Sequence, residues 1–157
     1  LLSYPKKAEL ICASLTEKIK NSFKNIDIIL SPAIGGIVVG YEIGRQLEVQ
    51  TIFAERIGGK LALRRGFTIQ KESNVLIVED VITTGGSALE CFQIVKENKA
   101  NLIGFACIID RSDKKISIKD KIVSQIKFEF TTYKESELPE NLKKIVAIKP
   151  GSKILSK

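Results

Sequence analysis

The stretch Val75-Leu-Ile-Val-Glu-Asp-Val-Ile-Thr-Thr-Gly-Gly-Ser-Ala-Leu-Glu90 holds the residues best suited to chemistry in this 157-residue chain. An apolar run leads into two adjacent carboxylates, Glu79 and Asp80, and then into Thr83-Thr84-Gly85-Gly86-Ser87. Glycines let a backbone approach an anion closely, and hydroxyls add donors. A helix starting at the end of such a loop offers unpaired N–H groups and partial positive charge. That combination is a phosphate cradle. Phosphate would repel the carboxylates just upstream, so they require another partner: sugar hydroxyls, or Mg²⁺, a hard cation suited to carboxylate and phosphate oxygens. Taken alone, Glu79-Asp80 could end a strand, and Gly85-Gly86-Ser87 could be a turn and an N-cap. The whole string, with an apolar strand before it and a helical pattern after it, favours the cradle. The loop has no Lys after its glycines, as a Walker A loop requires, and no Gly-x-Gly-x-x-Gly for a dinucleotide.

The elements that must position this loop are legible in the hydrophobic pattern. From Pro5 to Asn25, the residues Ala8, Ile11, Cys12, Leu15, Ile19 and Phe23 recur at three- and four-residue steps, which predicts an amphipathic helix. Ile26 to Leu30, ended by Ser31-Pro32, reads as a buried strand, and Gly35-Gly36 opens a helix to about Leu47. Gln50–Glu55, Asn74–Val78, Leu102–Ile109 and Ile126–Thr132 read as further strands, and Ser87–Lys99 as a helix. Strands alternating with helices imply parallel pairing, right-handed crossovers and both faces covered. The expectation is one doubly wound α/β domain over residues 1–157, with a mainly parallel five-stranded sheet. Ligands in such sheets sit beyond the carboxyl ends of the strands. That rule directs attention to the loops at 31–36, 55–60, 79–87 and 110–113.

Composition narrows the chemistry further. The chain has no histidine, which excludes a histidine relay, His-ligated zinc and an imidazole base. Cys12, Cys91 and Cys107 lie in apolar surroundings without a Cys-x-x-Cys pair, so they are expected to be reduced, buried thiols. No apolar run approaches the roughly 20 residues that cross a bilayer, and no signal peptide is apparent, so a cytoplasmic protein is expected. A formal charge of +7 suits either nucleic acid or a densely anionic small substrate. The basic residues are dispersed, with little aromatic interleaving, which speaks against nucleic acid. With no methionine anywhere, the chain is expected to start inside its native protein.

Residues 75–90 resemble the signature of type I phosphoribosyltransferases: an apolar strand, two acidic residues, two apolar residues, then a Thr/Gly-rich phosphate loop. The resemblance implies that fold, with a small hood region partly missing from this chain, and 5-phosphoribosyl 1-pyrophosphate as substrate. By the same resemblance Glu79 and Asp80 hold the ribose hydroxyls, and Val81, Ile82, Thr83, Thr84, Gly85, Gly86 and Ser87 bind the 5-phosphate. Ser31-Pro-Ala-Ile34-Gly35-Gly36 looks like the family's pyrophosphate loop, with Ile34 and Gly35 at the substrate. Phe53-Ala-Glu-Arg56, Gly58-Gly-Lys60 and Leu63-Arg-Arg-Gly-Phe67 look like the mobile loop of orotate phosphoribosyltransferases, although no histidine stands in it. Arg111 resembles the orotate-binding arginine, Thr83 would share that role, and Lys149-Pro-Gly-Ser152 resembles the C-terminal segment of one bacterial branch. What the resemblance implies is transfer of phosphoribosyl to orotate in pyrimidine biosynthesis. Arg56, Lys60 and Asp80 would carry the catalysis, and Mg²⁺ would be held mainly through substrate oxygens, with Glu79 and Asp80 as further donors. A homodimer sharing its active sites, without nucleic-acid or membrane partners, is also implied. A purine or uracil phosphoribosyltransferase, or a non-catalytic phosphoribosyl- or RNA-binding regulator on the same fold, would share the signature. Independently of the resemblance, orotate's carboxylate asks for a cation, and Arg offers it a bidentate match. Arg111 could instead be a surface residue paired with Asp110 or Asp113.

Overall fold

Alternate residues of the central strand are committed to opposite faces, and this divides the core in two. The computed structural model describes residues 1–112, 116–129, 131, 133 and 135–146. Strand β4 (Asn74–Ile82) is flanked by β1 (Ile28–Pro32) on one side and β5 (Asn101–Asp110) on the other, both parallel to it. Leu76 and Val78 pack with Cys12, Leu15 and Ile19 of α1 (Pro5–Ser22) and with Val39 and Ile43 of α2 (Gly35–Leu47). Val75 and Ile77 point the other way, into a cluster with Ala88, Cys91, Ile94 and Val95 of α3 (Gly86–Glu97). A strand buried on both faces reads as a continuous apolar run, which is why β4 shows no alternation of its own.

The sheet order is β3-β2-β1-β4-β5-β6, with β2 at Gln50–Ile57, β3 at Lys60–Leu63 and β6 at Ile122–Lys127. This is the expected doubly wound α/β architecture, with six strands rather than five. The added strand, β3, pairs antiparallel with β2 through Ala54↔Leu63 to Ile57↔Lys60. Gly58 and Gly59 connect them with φ of 53° and 88°. Positive φ at both central residues matches the twist of a tight hairpin, so this pair of glycines builds a turn rather than only loosening a loop.

Boundaries also differ, and β4 continues through the acidic pair to Ile82 rather than ending at Val78. The first helix ends at Ser22, because Phe23 turns extended (φ −130°, ψ 144°) and Asn25 is left-handed (φ 52°). The last strand starts earlier than the pattern of residues 126–132 suggests, because Ile122 and Val123 pair with Phe105 and Ala106. Ile126 and Phe128 are exposed, so their alternation does not mark a core face. Residues 130 and 132, Asp113 and the segment Lys149-Pro-Gly-Ser152 lie outside the described residues.

Helix α2 lies tight on the sheet through Gly36, Gly40 and Gly44, spaced at four-residue steps. A Cβ on Gly40 would collide with the Ser31 hydroxyl, and one on Gly44 with the Thr51 hydroxyl. This close seat carries the helix N-terminus onto the end of β4, where the carboxylates stand. All three cysteines are free and buried. Burial pushes the Cys12 thiol up to about 11 and Cys107 up to about 12, and it raises Cys91 as well, so none is a ready thiolate.

Candidate active site

Glu79 and Asp80 are successive residues on β4, so their side chains leave the sheet on opposite faces. Asp80 follows Leu76 and Val78 toward α2. Its carboxylate lies against Gly35, where a Cβ would come within 2.6 Å of Oδ2, and Oδ1 accepts the Val81 N–H at 3.0 Å. Glu79 follows Val75 and Ile77 toward α3 and lines a cleft of about 500 Å³. The acidic pair therefore straddles the end of the strand, one carboxylate beside each helix N-terminus.

The cleft is lined by Ala33, Arg56, Glu79, Val81, Thr83, Thr84, Gly85, Gly86, Ser87 and Glu90. Gly85 is the N-cap of α3 in the left-handed region (φ 76°), and no side chain caps the helix. Its first-turn N–H groups thus face the loop without a competing side-chain acceptor, as an anion site requires. A Cβ at Gly85 would also meet Ile118 Cδ1 at 2.8 Å. Both the backbone conformation and the packing hold that position to glycine.

Burial pushes the Glu79 carboxyl up to about 7, the neighbouring Asp80 charge adds to the rise, and Ser87 opposes it. Such a group carries a testable stability signature. Between the ordinary value of 4.5 and about 7, the folded chain holds a proton that the unfolded chain has released. Stability therefore falls as pH rises through that window and is level above it. Glu79→Gln is expected to be more stable than the native chain at pH 8 by on the order of 3 kcal/mol, at about 1.36 kcal/mol per pK unit. The gain should vanish toward pH 4.5. Urea unfolding at pH 5 and pH 8 checks this, and an equal gap at both pH values would refute the burial penalty.

The hairpin brings its cations to the same cleft. Arg56 pairs with Glu90 of α3 (Nη2 to Oε1, 2.9 Å; Nη1 to Oε2, 3.2 Å), and the Leu61 N–H donates to Glu90 Oε2 at 2.9 Å. Arg65 pairs with Glu55. The hydrogen bonds of Arg56 hold the Glu90 carboxyl below the usual carboxylate range, against the effect of its burial. Lys60 is exposed at the turn, outside the cleft lining. Ile82 buries its side chain in the core, and its carbonyl accepts the Arg111 N–H at 2.8 Å, which fixes the start of the loop after β5. Arg111 is exposed at that strand's carboxyl end, separate from the cradle lining. The neighbouring Asp110 is 4% exposed; it accepts the Ser112 N–H at 2.9 Å and pairs with Lys127 at 3.6 Å. Ile34 and Gly35 lie at the start of α2, after a cis Ala33–Ile34 peptide, and only Ala33 of that loop lines the cleft. Sequence reasoning passed over Glu90 as a functional residue. Its signal was its place four residues after Gly86, which puts it on the cradle's face of the helix.

The Phosphoribosyl transferase domain model matches residues 4–140, so the chain belongs to the phosphoribosyltransferase family. Solved structures agree at the level of the fold. An adenine phosphoribosyltransferase from Thermoanaerobacter pseudethanolicus superposes with TM-score 0.71 at 19% identity, covering 82% of this chain and 84% of that one. An orotate phosphoribosyltransferase from Aeropyrum pernix gives 0.68 at 16% identity, covering 81% and 75%. At such identities the backbone does not discriminate between bases. Sequence does, and it places the chain on the orotate phosphoribosyltransferase branch. The protein of that name from Methylorubrum populi is 44% identical over 100% of this chain and 81% of its own length. The one from Chlorobaculum parvum is 44% identical over 98% and 78%.

Proposed function

We propose that this chain transfers the 5-phosphoribosyl group from 5-phosphoribosyl 1-pyrophosphate to orotate, releasing pyrophosphate and orotidine 5-monophosphate in pyrimidine biosynthesis. The observation that carries the reading is the uncapped N-terminus of α3 behind Thr83–Ser87, with Glu79 beside it. The orotate assignment is supported by relatives of that name at 42–44% identity over nearly the whole chain. We further propose that residues 1–157 act as one domain in a cytoplasmic homodimer. No helix among the described residues is long and apolar enough to cross a membrane.

N1 of orotate attacks C1 of the ribose, the C1–O bond to pyrophosphate breaks, and the leaving group departs with the electron pair. Positive charge builds on the ribose ring and negative charge on pyrophosphate. Glu79 and Asp80 hold the ribose and soften the first, while Arg56 and Lys60 oppose the second. The loop at Ile34-Gly35 lies where the pyrophosphate would approach Asp80, and Thr83–Ser87 anchor the 5-phosphate. Closing the hairpin over the substrate excludes water that would hydrolyse the activated sugar.

The donor set fits Mg²⁺ bound through substrate. The described residues contain no cluster of three or more His, Cys, Asp or Glu that could cage an ion, whereas two carboxylates flank the phosphate loop. One or two carboxylates plus substrate phosphates is the usual arrangement for this ion. When bound, Mg²⁺ supplies charge neutralisation on the pyrophosphate.

The test is ultraviolet absorbance with orotate, uracil, adenine and hypoxanthine, each offered with the activated sugar and Mg²⁺. Consumption of orotate alone is expected. Turnover of a purine instead would overturn the base assignment, and activity with none of the four would overturn the enzymatic reading. In excess chelator the orotate reaction is expected to fall by roughly two orders of magnitude or more, since several kcal/mol of charge stabilisation is lost. Full activity there would remove Mg²⁺ from the mechanism.

A further inference from the structure

Glu90 sits one turn into α3, and a single carboxylate there ties down both strands of the hairpin. It holds Arg56 of β2 through both terminal nitrogens and Leu61 of β3 through its N–H. Arg56 Nη1 also donates to the Gly59 carbonyl. The cation closest to the cradle thus has its planar fork turned onto protein acceptors, and a fork seated on one carboxylate cannot also present both N–H groups to phosphate. Glu90 itself lines the cleft, a fixed negative charge where an anionic substrate is to bind.

We propose that Glu90 is a positioning residue whose carboxylate stands in for pyrophosphate. It holds Arg56 over the cradle until the diphosphate of the substrate draws the guanidinium away, and the Leu61 tie then keeps the hairpin attached to α3. This inference rests on reading the cleft as the phosphoribosyl pyrophosphate site. Two features make the exchange easy. The pair is open to solvent, with side-chain exposures of 47% for Arg56 and 36% for Glu90, and exposed pairs are weak. Pyrophosphate offers the same bidentate geometry with more charge.

The experiment is calorimetric titration of inorganic pyrophosphate with Mg²⁺ into the native chain, Glu90→Gln, Arg56→Ala and the double variant. Glu90→Gln keeps an acceptor for the Leu61 N–H and removes the charge that holds Arg56. It is expected to tighten pyrophosphate binding about two- to fivefold, the factor set by loss of an exposed ion pair. In the Arg56→Ala background the same change should have a clearly smaller effect, limited to the loss of one negative charge from the cleft lining. Weaker or unchanged binding by Glu90→Gln would overturn the exchange. Equal tightening with and without Arg56 would also overturn it, because removing any negative charge would then suffice. If Glu90→Gln does not fold, Glu90→Asp replaces it: one methylene shorter, it cannot hold the Arg56 fork and the Leu61 N–H together, and binding should again tighten. A native chain that binds no pyrophosphate refutes the reading of the cleft, whereas a native chain that binds while the variants do not differ refutes the exchange alone.

Discussion

Asp80→Asn is expected to lower turnover by roughly 10²–10³-fold, the scale seen when one preorganised electrostatic contact to a developing charge is removed. The substitution is nearly isosteric, and Asn can still accept the Val81 N–H that Oδ1 of Asp80 accepts at 3.0 Å. Stability should therefore change little, and the loss should appear in kcat more than in the KM for the activated sugar. The reason lies in where the charge stands. Asp80 is on the α2 face of β4, against Gly35, while Glu79 is on the α3 face and burial keeps its carboxyl near 7. Near neutral pH in the free protein, Glu79 is therefore only partly ionised. Steady-state kinetics combined with urea unfolding checks this. A variant with native kcat, or one whose loss follows unfolding, would remove Asp80 from the chemistry. If Lys60 of one subunit serves the other's site, mixing Asp80→Asn with Lys60→Ala chains should restore activity in hybrid dimers. No rescue in confirmed hybrids would argue for self-contained sites.

The placement of these carboxylates shows what a sequence gives away and what it hides. Strand β4 and the cradle after it were legible because an apolar run, two acids and a Gly-rich turn obey local rules. The period of two even implies that Glu79 and Asp80 part to opposite faces. Of the partners across that gap, Gly35 and Arg56 were reached only through the family resemblance and Glu90 not at all, because all three meet the strand end only through tertiary packing. The hairpin was a nearer miss. Gly58-Gly59 between two short alternating segments is a hairpin signal, but the density of Arg and Lys around it favours an open loop. The pairing of Arg56 with Glu90 and Arg65 with Glu55 neutralises enough of that charge for two strands to form. At the far edge, Ile126 pairs with Ile109 at the end of β6 and Phe128 lies just past it, yet both stay exposed, while Val123 supplies the strand's buried apolar contact.

Arg111→Ala tests the choice of base, and its expected effect is as large. Arg111 stands at the carboxyl end of β5, with its N–H donated to the Ile82 carbonyl at 2.8 Å, on a loop separate from the one that forms the phosphate cradle. The buried Asp110 beside it accepts the Ser112 N–H and faces Lys127, so the turn that presents Arg111 is held from both sides. Asp110 thereby has partners of its own. If Arg111 takes the orotate carboxylate, its removal leaves that carboxylate dehydrated without a partner. Losing one member of such a pair costs about 2–5 kcal/mol. That is on the order of 30- to several-thousand-fold in kcat/KM for orotate. The KM for the activated sugar should stay nearly constant, because Thr83–Ser87 are untouched. Arg111→Lys should rescue only partly, since a point charge cannot reproduce the bidentate fork. Kinetics with each substrate varied in turn decides the matter. An orotate efficiency within about threefold of native, or roughly 0.65 kcal/mol, would make Arg111 a surface residue and leave the base to be recognised elsewhere.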